Sequence, residues 1–259
     1  MRAAFRVLLL LAPLILGLAG CSAASGCTGS QSCTRVLFIG NSYTYVNDLP
    51  TMFASLAGSG GHAVETGLLA QGGWSLSNHL AAPVTAKTLT ATPWNVVVLQ
   101  EQSEIPSIES VRQSQMYPAA RRLVQSIRAA GEKPLFFLTW GHRDGWPEEG
   151  IGGYAPMQTA LDQGYVAIAT ELHAGIAPVG DAWSVAVERP ATSALWQDDG
   201  NHPTVAGTYL AACVFYAAVF KQTPVGLSEH AGLSSDEAAM LQQIAAATVL
   251  PNRARWGLA

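Results

Sequence analysis

The apolar positions of this chain recur in two rhythms. Five short runs, Arg35–Ile39, Ala63–Ala70, Asn95–Leu99, Pro134–Thr139 and Gly175–Val179, are continuous or nearly so and are bounded by turn residues. That is the pattern of strands in a parallel sheet. Between them the apolar positions take helical spacing, over Leu49–Ala57, Ser75–Leu80, Ile108–Ala130 and Tyr154–His173. In the last of these Met157, Leu161, Tyr165, Ile168 and Leu172 form one stripe, which is core. Pro203–Phe220 predicts a strongly apolar helix with a proline in its first turn, and Ser235-Asp236-Glu237 opens a last helix that Pro251 ends. Strand–helix alternation of this kind requires right-handed crossovers. The expected fold is a single α/β domain over residues 35–259, a three-layer α/β/α doubly wound structure on a parallel five-stranded sheet.

The N-terminus reads as an address. Arg2 and Arg6 precede an apolar run, Val7 to Leu18, of signal-peptide length and short for a membrane span. It ends in Leu18-Ala19-Gly20-Cys21, which resembles the lipobox of bacterial lipoproteins. The resemblance implies cleavage before Cys21, lipid on its thiol and amine, and a place in a bacterial cell envelope, on the outer membrane or facing the periplasm. Each buried methylene adds about 0.8 kcal/mol of membrane affinity, so two or three chains anchor firmly. An ordinary secretory peptide is the alternative. Residues 1–20 are thus a signal peptide, and residues 21–34 a tether rich in Ser, Gly and Thr. Cys27 and Cys33 lie close enough there to close a small disulfide loop in an oxidising compartment, whereas Cys213 sits in an apolar helix as a small hydrophobe.

Composition narrows the class. With 49% hydrophobic and 12% charged residues over 259 positions, the chain has material for a real core and is not disordered. A net charge of -4 leaves no basic footprint for nucleic acid. Losing residues 1–20 lowers Lys+Arg from 14 to 12 against 18 Asp+Glu, a mature balance of -6.

Four polar spots fall beyond strand ends: Ser42, then Gly72-Gly73, then Gln100-Glu101-Gln102-Ser103, and Asp198-Asp199-Gly200-Asn201-His202 ahead of the long apolar helix. In a doubly wound sheet these converge on one crevice. Asp199 and His202 have the spacing of an acid–imidazole pair within one turn of chain. Such a pair can activate a serine, here Ser42, as a nucleophile. The backbone N–H groups of Ser42 and Gly73 and the side-chain amide of Gln102 are candidate oxyanion donors. A loop from Gly141 to Gly153, holding His142, Arg143, Asp144, Trp146, Glu148 and Glu149, reads as crevice rim or plain solvated loop. Asp198 and Glu101 receive no catalytic role. Tyr43 and Tyr45 read as pocket lining or core, and His62, His79, His173 and His230 lack metal-ligand spacing. No Gly-x-Ser-x-Gly elbow and no Gly-x-Gly-x-x-Gly after the first strand occur.

These residues resemble the SGNH, or GDSL-type, serine hydrolases. Gly40-Asn41-Ser42 looks like the family's first block with Asn for the usual Asp, Gly73 like the second-block glycine, and Asp199-x-x-His202 like the last block. The resemblance implies a flavodoxin-like sheet and an esterase acting without cofactor on an acyl ester of carbohydrate or lipid. The third block departs: Gln100-Glu101-Gln102-Ser103 stands where Gly-x-Asn-Asp belongs, with Gln102 in the place of the oxyanion-hole Asn. The expected partners are a small-molecule or polysaccharide ester and the membrane, through the Cys21 lipid. An envelope O-acyltransferase and a non-catalytic carbohydrate-binding lipoprotein remain as alternatives.

Overall fold

The computed structural model describes residue 27 and residues 32–189 and 194–259. The signal peptide, the lipid-attachment residue Cys21 and most of the tether lie outside the described residues. Cys27 and Cys33 are joined by a disulfide with their Cα atoms 5.5 Å apart.

The main sheet is built from β1 (Cys33–Gly40), β2 (Ala63–Ala70), β3 (Val96–Leu99), β4 (Lys133–Leu138) and β7 (Gly175–Pro178). Two short strands, β5 (Gly145–Trp146) and β6 (Ile151–Gly152), form a hairpin inside the loop after β4. All four pairings of the main sheet are parallel, in the order β2-β1-β3-β4-β7. Taken as successive sheet strands this is 2-1-3-4-5, the flavodoxin-like order, with its switch point between β1 and β3. β1 lies inside the sheet, between β2 and β3, where Val36, Leu37, Phe38 and Ile39 are each at most 1% exposed.

The helices are α1 (Ser42–Tyr45), α2 (Leu49–Ser59), α3 (Leu76–Ala81), α4 (Pro83–Ala91), α5 (Glu109–Val111), α6 (Tyr117–Ala129), α7 (Tyr154–Glu171), α8 (Val179–Val187), α9 (Val205–Phe220) and α10 (Ser235–Val249). α2 and α9 cover one face, where Phe38 meets Phe53 and Phe215 edge-on, and α10 packs on α9. α6 and α7 cover the other, joined by the Tyr117 hydroxyl to the Gly164 carbonyl at 3.0 Å. α9 is buried around nearly its whole circumference, which explains a helix with almost no polar face.

Three expectations shift. The helix expected over Ile108–Ala130 contains a π turn, Arg112–Met116, just before Pro118. Proline has no N–H to give the preceding turn, and the wider turn accommodates the loss. Pro203 lies outside α9: it bridges Trp196, and Thr204 caps the helix by accepting from Gly207 N–H. The chain also becomes helical directly after β7, at Val179, where the apolar run had suggested continued strand.

Candidate active site

β1 ends at Gly40 because nothing larger fits. A Cβ there would lie 2.3 Å from Gln100 Oε1 and 2.5 Å from Thr44 Oγ1. Asn41 then caps the short helix α1, its Oδ1 accepting from Tyr43 N–H at 3.1 Å. The buried Gln100 amide locks this turn: Oε1 accepts from Asn41 N–H and Thr44 Oγ1, both at 2.8 Å, and Nε2 donates to Asn41 Oδ1 at 2.9 Å. Asn41 Nδ2 donates to the Trp74 carbonyl at 2.9 Å and so ties the loop after β2 to the serine turn. An aspartate at this position could not make that last bond, a physical reason for Asn where the related motif has Asp. His79 completes the floor, donating from Nε2 to the Gly40 carbonyl at 2.7 Å; burial holds its pKa below the ordinary value.

The turn delivers Ser42, partly exposed, to the crevice. His202 Nε2 lies 2.9 Å from Ser42 Oγ, although the two are 160 residues apart. His202 Nδ1 lies 2.6 Å from Asp199 Oδ2. Asp199 Oδ1 accepts from the backbone N–H groups of Asn201 (2.9 Å) and His202 (3.0 Å), an Asx-type turn that holds carboxylate and imidazole on one loop. Partial burial pushes the Asp199 pKa up, but the His202 ring and those two N–H groups outweigh it and bring it to about 2. The carboxylate is therefore charged at any working pH.

The loop after β4 supports the same turn. Arg143 N–H donates to the Gly200 carbonyl at 2.8 Å and Trp140 Nε1 to the Asn201 carbonyl at 3.0 Å. His142 lies on the same loop, with Nε2 3.2 Å from Ser103 Oγ and its pKa lowered, chiefly by burial. Gly73 lies exposed in the loop after β2 with φ +71°, a conformation that suits glycine.

Gln102 does not fill the place expected for it. Its Oε1 accepts from the N–H groups of Glu104 (2.8 Å) and Ile105 (3.1 Å), and its Nε2 donates to Glu104 Oε2 at 3.2 Å. The side chain turns back to close its own loop and is committed at both ends. Glu101, read as having no catalytic role, accepts from Leu76 N–H and Gln102 N–H and is wholly buried. Reading by position had given Gln100, Trp140 and Asn201 no part; their only sequence signal was an amide or indole next to a strand end or beside His202. Among the described residues no group of three or more His, Cys, Asp or Glu side chains is placed to hold a metal ion.

The fold built on this five-stranded 2-1-3-4-5 sheet has solved counterparts. A proposed SGNH hydrolase from Slackia heliotrinireducens is 28% identical, with a TM-score of 0.61, over 71% of this chain and 97% of that one. The fold is that of the SGNH hydrolases. A DUF4886 family protein from Bacteroides uniformis superposes at a TM-score of 0.73 with 18% identity, over 85% of this chain and 95% of its own. Axe2, an acetylxylan esterase from Geobacillus stearothermophilus, gives 0.54 with 17% identity, over 71% and 92%. No family model and no curated protein sequence matches the chain. The structural neighbours are thus SGNH and GDSL hydrolases.

Proposed function

We propose that this chain is a serine esterase, with Ser42 as nucleophile, His202 as general base and acid, and Asp199 as the group that orients and stabilises the imidazole. One observation carries the reading: the in-line contacts Ser42 Oγ–His202 Nε2 at 2.9 Å and His202 Nδ1–Asp199 Oδ2 at 2.6 Å. Asp199 fixes the proton on Nδ1, which leaves the Nε2 lone pair facing the serine hydroxyl. Ser42 Oγ attacks the acyl carbon as its proton passes to Nε2. The charge that develops on the carbonyl oxygen is met by the backbone N–H groups of Ser42 and Gly73, each worth roughly 3–4 kcal/mol in such a site. The imidazolium returns its proton to the departing alkoxide, and water releases the acid by the same steps in reverse. Short acyl esters of carbohydrate are the substrates to try first, since Axe2, which shares the fold, is an acetylxylan esterase.

The test is hydrolysis of p-nitrophenyl acetate and longer esters by the full chain in mild detergent, beside Ser42→Ala. The expected loss is about a thousandfold or more in kcat, with fluorophosphonate labelling of the wild type only. A wild type that neither turns over nor is labelled would move the chain to the non-catalytic binding class. We also propose a lipid anchor at Cys21 and a cell-envelope location, supported by the Leu18-Ala19-Gly20-Cys21 box. Metabolic labelling with palmitate, lost in Cys21→Ser, is the expected result. No helix among the described residues is long and apolar enough to cross a membrane.

A further inference from the structure

Tyr43 takes no part in the steps above, yet few side chains near Ser42 are held as tightly. It is 2% exposed and so cannot touch substrate. Its ring stacks on Trp140 with centroids 4.5 Å apart and planes 6° from parallel, and Trp140 stacks in turn on Trp183 at 4.1 Å. The same ring meets His202 edge-on at 6.0 Å. Its hydroxyl donates to Asn201 Oδ1.

The direction of this bond follows from valence. An amide oxygen only accepts, so Tyr43 gives its one hydrogen to Asn201. The bond joins the turn after β1 to the loop that carries His202. Asn201 is fixed at its far end as well, with its carbonyl on Trp140 Nε1 and its N–H on Asp199 Oδ1.

We propose that Tyr43 and Asn201 are positioning residues whose mutual hydrogen bond sets the separation of Ser42 from His202. The proposal rests on the serine-esterase reading. Ser42 and Tyr43 are neighbours in one rigid helical turn, and Asn201 and His202 are neighbours in one rigid Asx turn. The bond between Tyr43 and Asn201 therefore holds Ser42 and His202 in register. The margin is small: a slip of about 1 Å would take the 2.9 Å Ser42–His202 contact out of hydrogen-bonding range.

Tyr43→Phe in the full chain tests this, because it keeps the ring and its stack and removes only the O–H. On p-nitrophenyl acetate kcat should fall at least about tenfold with KM within about twofold, since register acts on the chemical step. Fluorophosphonate labelling of Ser42 should slow by the same factor, while the unfolding midpoint moves by only a few degrees. Asn201→Ala, in a partly exposed loop, should reproduce the loss, and the double variant should lose no more than either single one. A Tyr43→Phe enzyme with unchanged kcat, or losses that multiply in the double variant, would overturn the proposal and leave the esterase reading standing. A wild type without turnover or labelling would sink both.

Discussion

Glu101 offers a stability prediction that is independent of catalysis. Its carboxyl is 0% exposed. Oε1 accepts from Leu76 N–H at 3.0 Å and Gln102 N–H at 2.7 Å, and Oε2 has no partner among the described residues. Burial raises the pKa and the two N–H groups only partly offset it, from an ordinary 4.5 to about 7. Below pH 4.5 the folded and unfolded chains both hold the proton. Between pH 4.5 and 7 the unfolded chain releases it while the folded chain retains it, so stability falls as pH rises; above 7 the loss levels off. A shift of this size corresponds to about 3 kcal/mol. Glu101→Gln keeps the acceptor for both N–H groups and cannot ionise, but it places an unpartnered NH2 where Oε2 was, a cost of about 1–3 kcal/mol at every pH. The variant should therefore be the less stable protein at pH 4.5 and should match or exceed the wild type at pH 8. Urea unfolding of both proteins at half-unit pH intervals measures this, and the gap between the two curves should change by about 3 kcal/mol across the range. Two curves that stay parallel from pH 4.5 to 8 would refute the reasoning, whatever their offset.

Other expectations concern the site. Asp199→Asn keeps an oxygen for the backbone N–H groups of Asn201 and His202 but turns an NH2 toward His202 Nδ1. The ring proton is then driven to Nε2, and kcat should fall about 10³–10⁴-fold with little change in the thermal midpoint. Gly40→Ala puts a methyl against Gln100 Oε1 and Thr44 Oγ1, so a loss of about 1–3 kcal/mol in urea unfolding is expected, together with weaker labelling of Ser42. Gln100→Glu buries a carboxylate that cannot donate to Asn41 Oδ1. It should destabilise by about 3 kcal/mol or more at pH 8 and by less at pH 4.5, where the new acid can hold its proton.

What the sequence discloses follows from the range of the forces involved. The strands were legible because burial on both faces leaves a continuous apolar run, as at Val36–Ile39. α8 was not, because Val179–Val187 follows β7 without a polar break and an apolar run alone does not distinguish strand from helix. α4 was missed for the opposite reason: only Thr85 and Leu89 of its nine residues are buried, too few to make a stripe. Ser42, Asp199 and His202, which the fold brings together, were legible as positions because chemical type and order after successive strands are one-dimensional properties.

Gln100 and Gln102 show where that kind of reading stops. Both are amides beyond β3, two residues apart, and the sequence offers no measure of which one faces the serine turn. The deciding quantities are partners 59 residues away for Gln100, in Asn41, and two or three residues away for Gln102, in Glu104 and Ile105. Gln100 is drawn inward because the serine turn presents it with an N–H, a hydroxyl and a carbonyl oxygen that would otherwise be buried without partners. Gln102 is drawn back because its turn leaves two N–H groups to satisfy. The same logic gives Asn41 its identity and Asn201 its orientation: each is set by a donor or acceptor brought in by another loop. A motif that departs at such positions from the pattern it resembles is therefore read more securely from the partners its side chains must satisfy than from its spelling.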